Sequence, residues 1–541
     1  MHTTTVATSR KCTIYFRASS DQADLYCNTR AGGLFNQIGN RGSLIYTQDK
    51  PTFEQSPQTH HFYTSHSTIP PYYSNKHYFI NDVENTLTTK VPETPIKHDV
   101  SSQLGYVKTV SNHTNFPLFQ SASHTIKIPA KVEYTLKRLV PKHALKQIHP
   151  NLEVAIELCL LFLSQMSSTY FTWRDGSNPD GWKSLKADYL RKLLAYQSDT
   201  YKKIREVLET PLMNGPIIEC DYNEQKGIKC FHYRFSSPYI GKGIKPYELK
   251  SKFVQELKQD YHHKRLKEAQ NNPICKSLID LYPRITLPSI EEIKLNAKQL
   301  IASGYKSKKG KQLTFLNKHS KNYYANASDR TFVEDGIEAF DYLTSGGLKL
   351  PIVSSDYAGG RIVDSFVLMP SYIRNMCKLD DSPIIEVDYS CLHPNIAMTL
   401  YGGKQAFITH QIIADKLNIA ISSVKTEHLS FFNKHPKEML TSPLYQYYIE
   451  TEPQMMKNLI KEKYASTRKH KMTSQKLFEK EVAIMTDVIK QLSLEGILVG
   501  YIYDAVFCTP NNAQRVKKVM DEQVVKHGVM TTAKISSPHA S

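Results

Sequence analysis

The stretch "IIEVDYSCLHPNIAMTLYG", Ile384 to Gly402, runs from a continuous apolar segment through an aspartate straight into a helical pattern. Its first residues read as a short, wholly buried strand that delivers Asp388 at its end, and the remainder reads as a helix. Much later in the chain, "GILVGYIYDAVFCTP", Gly496 to Pro510, is a second apolar strand. It is broken by Asp504 and resumed by "AVF", as in a hairpin with the carboxylate near its tip. Taken singly, each aspartate has a plain structural reading: Asp388 or Ser390 caps the following helix, and Asp504 serves its turn. Their order, spacing and setting favour another, in which the two carboxylates meet in space and share metal ions.

The bulk composition narrows the partners. At 541 residues the chain is too long for one ordinary domain, and roughly two to four are expected. The net charge is +18, and 33 of the residues are tyrosine; the isoelectric point is near 9.2. Such a surplus favours a polyanion, nucleic acid first and a membrane surface second. Nine cysteines are scattered without a C-x-x-C pair, which argues against a zinc ribbon and a secreted disulfide framework. The longest apolar run, from Val154, is too short for a bilayer and contains Glu157. The first residues are basic and Ser/Thr-rich without a signal-peptide core, and Asp21 and Asp24 spoil a transit-peptide pattern. An intracellular protein with no membrane association is expected.

Along the chain, residues 1–130 are polar, without sustained period, and expected to be mostly disordered. A short island from Gly32 is the exception. Residues 150–238 change texture. "LEVAIELCLLFLSQM" suits a buried helix, and "LKADYLRKLLAY" and "SDTYKKIREVLETPL" are two more. "PIIECDYNEQKGIKCFHYRFS" then alternates, turns and alternates again as a β-hairpin. Three helices and a hairpin form the pattern of a winged helix, with Lys202, Lys203 and Arg205 on the helix placed to meet DNA. A winged fold also serves as a protein-contact scaffold, since fold does not fix use. Residues 240–345 are basic, helical and aromatic-interleaved, as a thumb-like region tracking a phosphate backbone would be. A solvated basic face is the plainer alternative.

From residue 350 to 541 a resemblance emerges. "GGRIVDSFVLMPSYIRNMCKLDDSPIIEVDYS" resembles the core of family A DNA polymerases, a palm fold shared with single-subunit phage-type RNA polymerases. Gly360, Arg361, Pro370, Ile373, Arg374, Asp388, Tyr389 and Ser390 occupy the matching places. Asp504 matches the aspartate of the family's second metal-binding turn, with Tyr503 for the usual histidine and Ala505 for a frequent glutamate. The resemblance implies Asp388 and Asp504 as catalytic metal ligands, and Arg361 and Arg374 beside the primer–template, with a palm anchor as the alternative for Arg374. Tyr389, His393 and Lys425 become nucleotide-binding residues.

The chemistry explains the pattern. Nucleotidyl transfer is served by two Mg²⁺ ions about 3.5–4 Å apart, which neutralise charge at phosphorus and deprotonate a 3′-hydroxyl. Hard oxygen ligands suit them, so two aspartates are a minimal bridging set.

Departures are informative. In "ISSVKTEHLSFFNK" Lys425 stands as the triphosphate cation, but Ile421 replaces the family's arginine and Leu429 its aromatic. A plain surface lysine is the alternative. Where family A has a glutamate that blocks a ribose 2′-hydroxyl, this chain has His393, bulky enough to do the same and able to hydrogen-bond one, with local packing or capping as the plainer alternative. "SQKLFEKEVAIMTDVIKQLSLEG" is an amphipathic helix supporting the second turn, with Glu481 facing the site. The only Asp-x-Glu upstream lies at Asp82 in the polar arm, so no proofreading exonuclease is expected.

The expected architecture is therefore α+β: a right-hand polymerase palm at the carboxyl end, preceded by a winged helix and a largely disordered arm. The expected function is template-directed DNA synthesis with two Mg²⁺ ions, a DNA primer–template and nucleoside triphosphates, in replication of a mobile element, phage or plasmid. The rivals are a non-catalytic replication initiator with a degenerate palm, and an RNA polymerase or primase.

Overall fold

A computed structural model describes residues 118–536 apart from 175–177, 222–230, 308–309, 317–328, 355–357, 406 and 469. The island from Gly32, Asp82 and the tip of the 216–236 hairpin lie outside the described residues. Regular structure begins with strand β1 (Thr125–Pro129), inside the arm expected to be polar and unstructured.

Two apolar cores organise the described chain. The first is built on helix α1 (Leu152–Ser164), whose start Asn151 caps by accepting the amides of Glu153 and Val154. This helix is apolar nearly all round and buried nearly all round. Its Glu157 is fully buried, yet it accepts hydrogen bonds from Tyr247 Oη at 3.1 Å, Lys250 N at 2.6 Å and Ser251 N at 2.9 Å. Those three donors replace the water it gives up. Strand β2 (Lys183–Leu185), helices α2 (Ala187–Leu193) and α3 (Thr200–Glu209), and strands β3 (Ile218–Asp221) and β4 (Phe231–Phe235) follow. The three strands form an antiparallel sheet in the order β2-β4-β3; with the helices Val132–Arg138, Lys142–Ile148 and Thr169–Arg174 the unit runs four helices, strand, two helices, two strands after β1. β1 pairs with β5 (Ile244–Glu248) from Thr125↔Glu248 to Pro129↔Ile244.

Helix α4 (Lys252–Gln270) joins the cores: Val254 packs in the first, and Leu266 and Ala269 in the second. Its buried Lys258 Nζ donates to Gln120 O at 2.9 Å and Ser121 O at 2.8 Å, fixing the segment that leads into β1.

The second core surrounds a four-stranded antiparallel sheet of β6 (Ile385–Tyr389), β7 (Gly500–Ile502), β8 (Ala505–Cys508) and β9 (Ala533–Ser536), ordered β7-β8-β6-β9. Strand alternation divides its two faces. Val387 and Tyr389 pack toward helix α7 (Ala513–Lys526), where Tyr389 Oη donates to Met520 O at 2.6 Å. Glu386 and Asp388 share the other face with their cross-strand partners Phe507 and Ala505. Helix α5 (Leu392–Tyr401) leaves the end of β6, and helix α6 (Lys471–Leu494) runs up to the β7–β8 hairpin. Among the described residues no helix is long and apolar enough to cross a membrane.

Candidate active site

Asp388 is directly opposite Ala505, and Ile502 is also opposite Ala505. Tyr503 and Asp504 are therefore the two residues of the β7–β8 turn, and the register brings the Asp504 turn alongside Asp388. Both aspartates are half-buried. On its other side Asp388 is opposite Lys534 of β9, an exposed lysine.

The structure bears on the capping alternative. The N-cap position of α5 is Cys391, with no cap hydrogen bond from its side chain. Cys391 has φ 57° and Tyr503 has φ 56°. Both lie in the left-handed region that non-glycine residues avoid, at a cost on the order of 1–3 kcal/mol each. Strained backbone thus follows the strand of one aspartate and immediately precedes the other.

A buried polar cluster stands behind the Asp504 turn. Arg361 Nε donates to Glu481 Oε1 at 2.8 Å and Arg361 Nη2 to Glu481 Oε2 at 2.5 Å. His393 Nε2 lies 2.7 Å from the same Oε2 and 3.4 Å from Arg361 Nη2. The guanidinium is sandwiched between aromatic rings, 3.7 Å from the centroid of Phe478 and 4.5 Å from that of Tyr503. Cation–π contact of this kind strengthens when desolvated, and here it braces the left-handed Tyr503. Burial opposes the charge on Arg361, but the Glu481 carboxylate more than offsets it and raises the guanidinium further. Burial likewise pushes Glu481 up, while Arg361 and His393 outweigh it and hold the carboxylate below its ordinary range. Asp504 is pushed above the ordinary carboxylate range by desolvation and then by Glu481, with His393 and Arg361 pulling the other way.

The expected site residues fall into separate places. Arg361, His393 and Asp504 converge on Glu481, and Asp388 lies beside the Asp504 turn through the β6–β8 register. Arg361, expected at the primer–template, is turned inward and 5% exposed. Arg374 is also buried: its Nη1 donates to Phe366 O at 3.2 Å and Met369 O at 3.1 Å, with the guanidinium over Phe507. That placement is the anchor alternative. Tyr389 faces α7, on the side of the sheet opposite Asp388. Lys425 is exposed on the helix Ile421–Phe431. Burial lowers His410 to about 4, and the charges of Lys425 and Lys534, from two different elements, add to the effect.

In the first core Lys202 is exposed. Lys203 Nζ is 3.3 Å from Asp199 and donates to Gln197 Oε1 at 3.1 Å. Arg205 lies 3.5 Å from Glu209 and 5.2 Å over the ring of Phe231, tying α3 to the sheet.

Sequence reasoning did not anticipate Lys534, Phe478 or the strained Tyr503. Only Lys534 had a signal, in the alternation of the last strand. Among the described residues no group of three or more His, Cys, Asp or Glu is arranged to hold a metal. The donor set is two carboxylates, which suits an oxygen-ligated cation completed by other oxygens rather than a closed protein cage.

No family model and no curated protein matches this chain. Among solved structures the chain is similar to the POL domain of Pol1 from M. smegmatis in complex with DNA primer-template and dNTP, at TM-score 0.32 and 9% identity. That similarity covers 53% of this chain and 73% of the other. It is too distant to bear on function.

Proposed function

We propose that the carboxy-terminal unit carries out template-directed nucleotidyl transfer, extending a DNA primer with nucleoside triphosphates. The observation that carries this reading is the register of β6 with β8, which sets Asp388 beside the Asp504 turn on neighbouring strands. Glu481 takes the buried guanidinium of Arg361, and the Asp504 turn stands beside Asp388 on the neighbouring strand.

Asp388 and Asp504 would hold two Mg²⁺ ions, which when bound neutralise charge at the reacting phosphorus and acidify the attacking 3′-hydroxyl. The chain's own residues do the rest. Glu481 and Arg361 fix Tyr503 and so set where Asp504 points. His393 borders the sugar of the incoming nucleotide, five places after Asp388. Lys425 and Lys534, exposed on the same side, attract the triphosphate.

The amino-terminal unit is a winged helix that holds duplex DNA. The run of β2, α2, α3, β3 and β4 supports this, as does its sheet order. Lys202 and Lys203 reach phosphates, while Arg205 serves the fold. The pairing of such a module with a small polymerase suits replication of a mobile element, phage or plasmid.

Extension of a labelled primer–template by the full chain, with and without Mg²⁺, tests the reading. Mg²⁺-dependent extension that follows the template supports it. DNA binding without extension would leave a non-catalytic initiator.

A further inference from the structure

We propose that the two-helix segment 131–149 is a second phosphate-binding surface, which holds the backbone of a nucleic-acid duplex beside α3. The proposal rests on the duplex-binding reading of the amino-terminal unit and adds a surface outside its helix-and-hairpin pattern.

The segment "KVEYTLKRLVPKHALKQIH", Lys131 to His149, holds five lysines and arginines against one acid, Glu133. It folds as two seven-residue helices, Val132–Arg138 and Lys142–Ile148, joined through Leu139, Val140 and Pro141. Helices this short do not stand alone in water. They are held by burying Val132, Leu136, Leu145 and Ile148 in the first core. Burial of one side fixes what the other side shows. Lys131, Tyr134 and Arg138 follow one another at spacings of three and four, so they share one row, and all three are exposed. Tyr134 is 66% exposed. Lys142 and Lys146, four apart and both exposed, make a second row on the next helix.

The segment's own acid does not cancel these charges. Glu133 is already taken by Lys137 at 2.7 Å and by Lys245. That leaves Lys131, Arg138, Lys142 and Lys146 to face outward without an acid from their own segment. The helix Lys142–Ile148 packs on α1 and on α3, the helix of Lys202 and Lys203. Its exposed face therefore adjoins theirs. On α3 the exposed Glu206 offsets part of the lysine charge, so the two new rows carry the larger positive surplus.

A nucleic-acid backbone is the polyanion that fits. A row of lysine, tyrosine and arginine offers both charge and a hydroxyl donor to phosphate oxygens. A lipid surface takes up the apolar side of an amphipathic helix, and here that side is buried in the core.

The test uses the full chain and a labelled DNA duplex, with binding read by fluorescence anisotropy over a salt series. One variant replaces Lys131, Arg138, Lys142 and Lys146 with alanine. Another exchanges lysine and arginine at the same four places. Alanine suits an exposed helical position, so both variants are expected to melt as the wild type does. Each phosphate contact contributes about 0.9 to the slope of log affinity against log salt. The alanine variant is expected to lose about three and a half from that slope, so a rise in salt of about fourfold weakens it about a hundredfold less than the wild type. The exchanged variant keeps the slope, and so does Lys518→Ala with Lys526→Ala, two exposed lysines of α7. Should the fourfold alanine variant melt early, Lys142→Ala with Lys146→Ala decides, at about half the loss.

An unchanged slope in the alanine variant overturns the proposal and marks a merely solvated face. An equal loss from the α7 pair overturns it as a general effect of charge. A slope that falls only in Lys202→Ala with Lys203→Ala overturns this surface while leaving the duplex-binding reading in place. A wild type that binds anionic phospholipid vesicles and no duplex overturns both.

Discussion

Lys203 and Arg361 are both basic residues with acidic partners, and they illustrate how differently the two units of the chain use charge. Lys203 pairs with Asp199 one helical turn away at 3.3 Å, with side chains 32% and 48% exposed. Arg361 pairs with Glu481, distant in sequence, at 2.5 Å, with side chains 6% and 0% exposed. A surface pair contributes on the order of 0–1 kcal/mol and leaves its lysine available to a polyanion. A buried pair is tied to geometry, because removing one partner strands the other without water. Lys203 therefore stays at the surface, whereas Arg361 fixes where other groups stand.

The largest effect that probes this contrast is on stability. Arg361→Ala or Glu481→Ala is expected to destabilise the protein by about 3–5 kcal/mol, while Lys203→Ala stays within about 1 kcal/mol. Urea unfolding of the full chain, followed by circular dichroism, measures both. Similar small losses at the two sites would erase the distinction between them.

An intermediate effect sharpens the buried side of the comparison. His428 is enclosed, with Nε2 2.8 Å from Tyr448 Oη, and burial followed by its neighbour His410 pushes it well below the ordinary histidine range. His410 is lowered to about 4 by burial, with Lys425 and Lys534 adding to it. Between pH 4 and 6.5 the unfolded chain binds these protons and the folded one does not. Stability therefore falls as pH drops through that window, by up to about 1.4 kcal/mol per pH unit for each histidine. His428→Phe should flatten the slope below pH 6.5, read from thermal melting at stepped pH. An unchanged slope would mean that His428 is protonated in the fold.

The smallest effect lies at the amino-terminal surface. Replacing Lys202 and Lys203 with alanine should reduce the salt dependence of duplex-DNA binding by about one to two phosphate contacts, and Arg205→Ala should leave that dependence alone. Fluorescence anisotropy over a salt series resolves the two. A larger change from Arg205→Ala than from the lysines would reverse their assigned roles.

The contrast also marks what a sequence displays. The strand ending at Asp388 and the hairpin around Asp504 are readable because apolar runs and a turn have local signatures. Glu481 is placed toward the site by helical spacing from Leu477 and Met485. Nothing local tells that Arg361 turns inward, because its partner arrives from a helix far along the chain. The left-handed backbones of Tyr503 and Cys391 are equally silent, since tertiary contacts impose them on residues that do not favour them. Lys534 acquires meaning only through the pairing of β9 with β6. The helices 152–164, 187–193 and 200–209 and the strands of the 216–236 hairpin were legible from their periods, whereas the tying of Arg205 to Phe231 depends on packing between elements.

The central claim is that Asp388 and Asp504 act together on bound metal. Single-nucleotide incorporation by the full chain with Mg²⁺, compared among wild type, Asp388→Ala and Asp504→Ala, tests it most directly. Each substitution is expected to lower the rate by about a thousandfold or more, a loss of several kcal/mol of transition-state stabilisation, while primer–template affinity holds. Incorporation at the wild-type rate by either variant would contradict the claim.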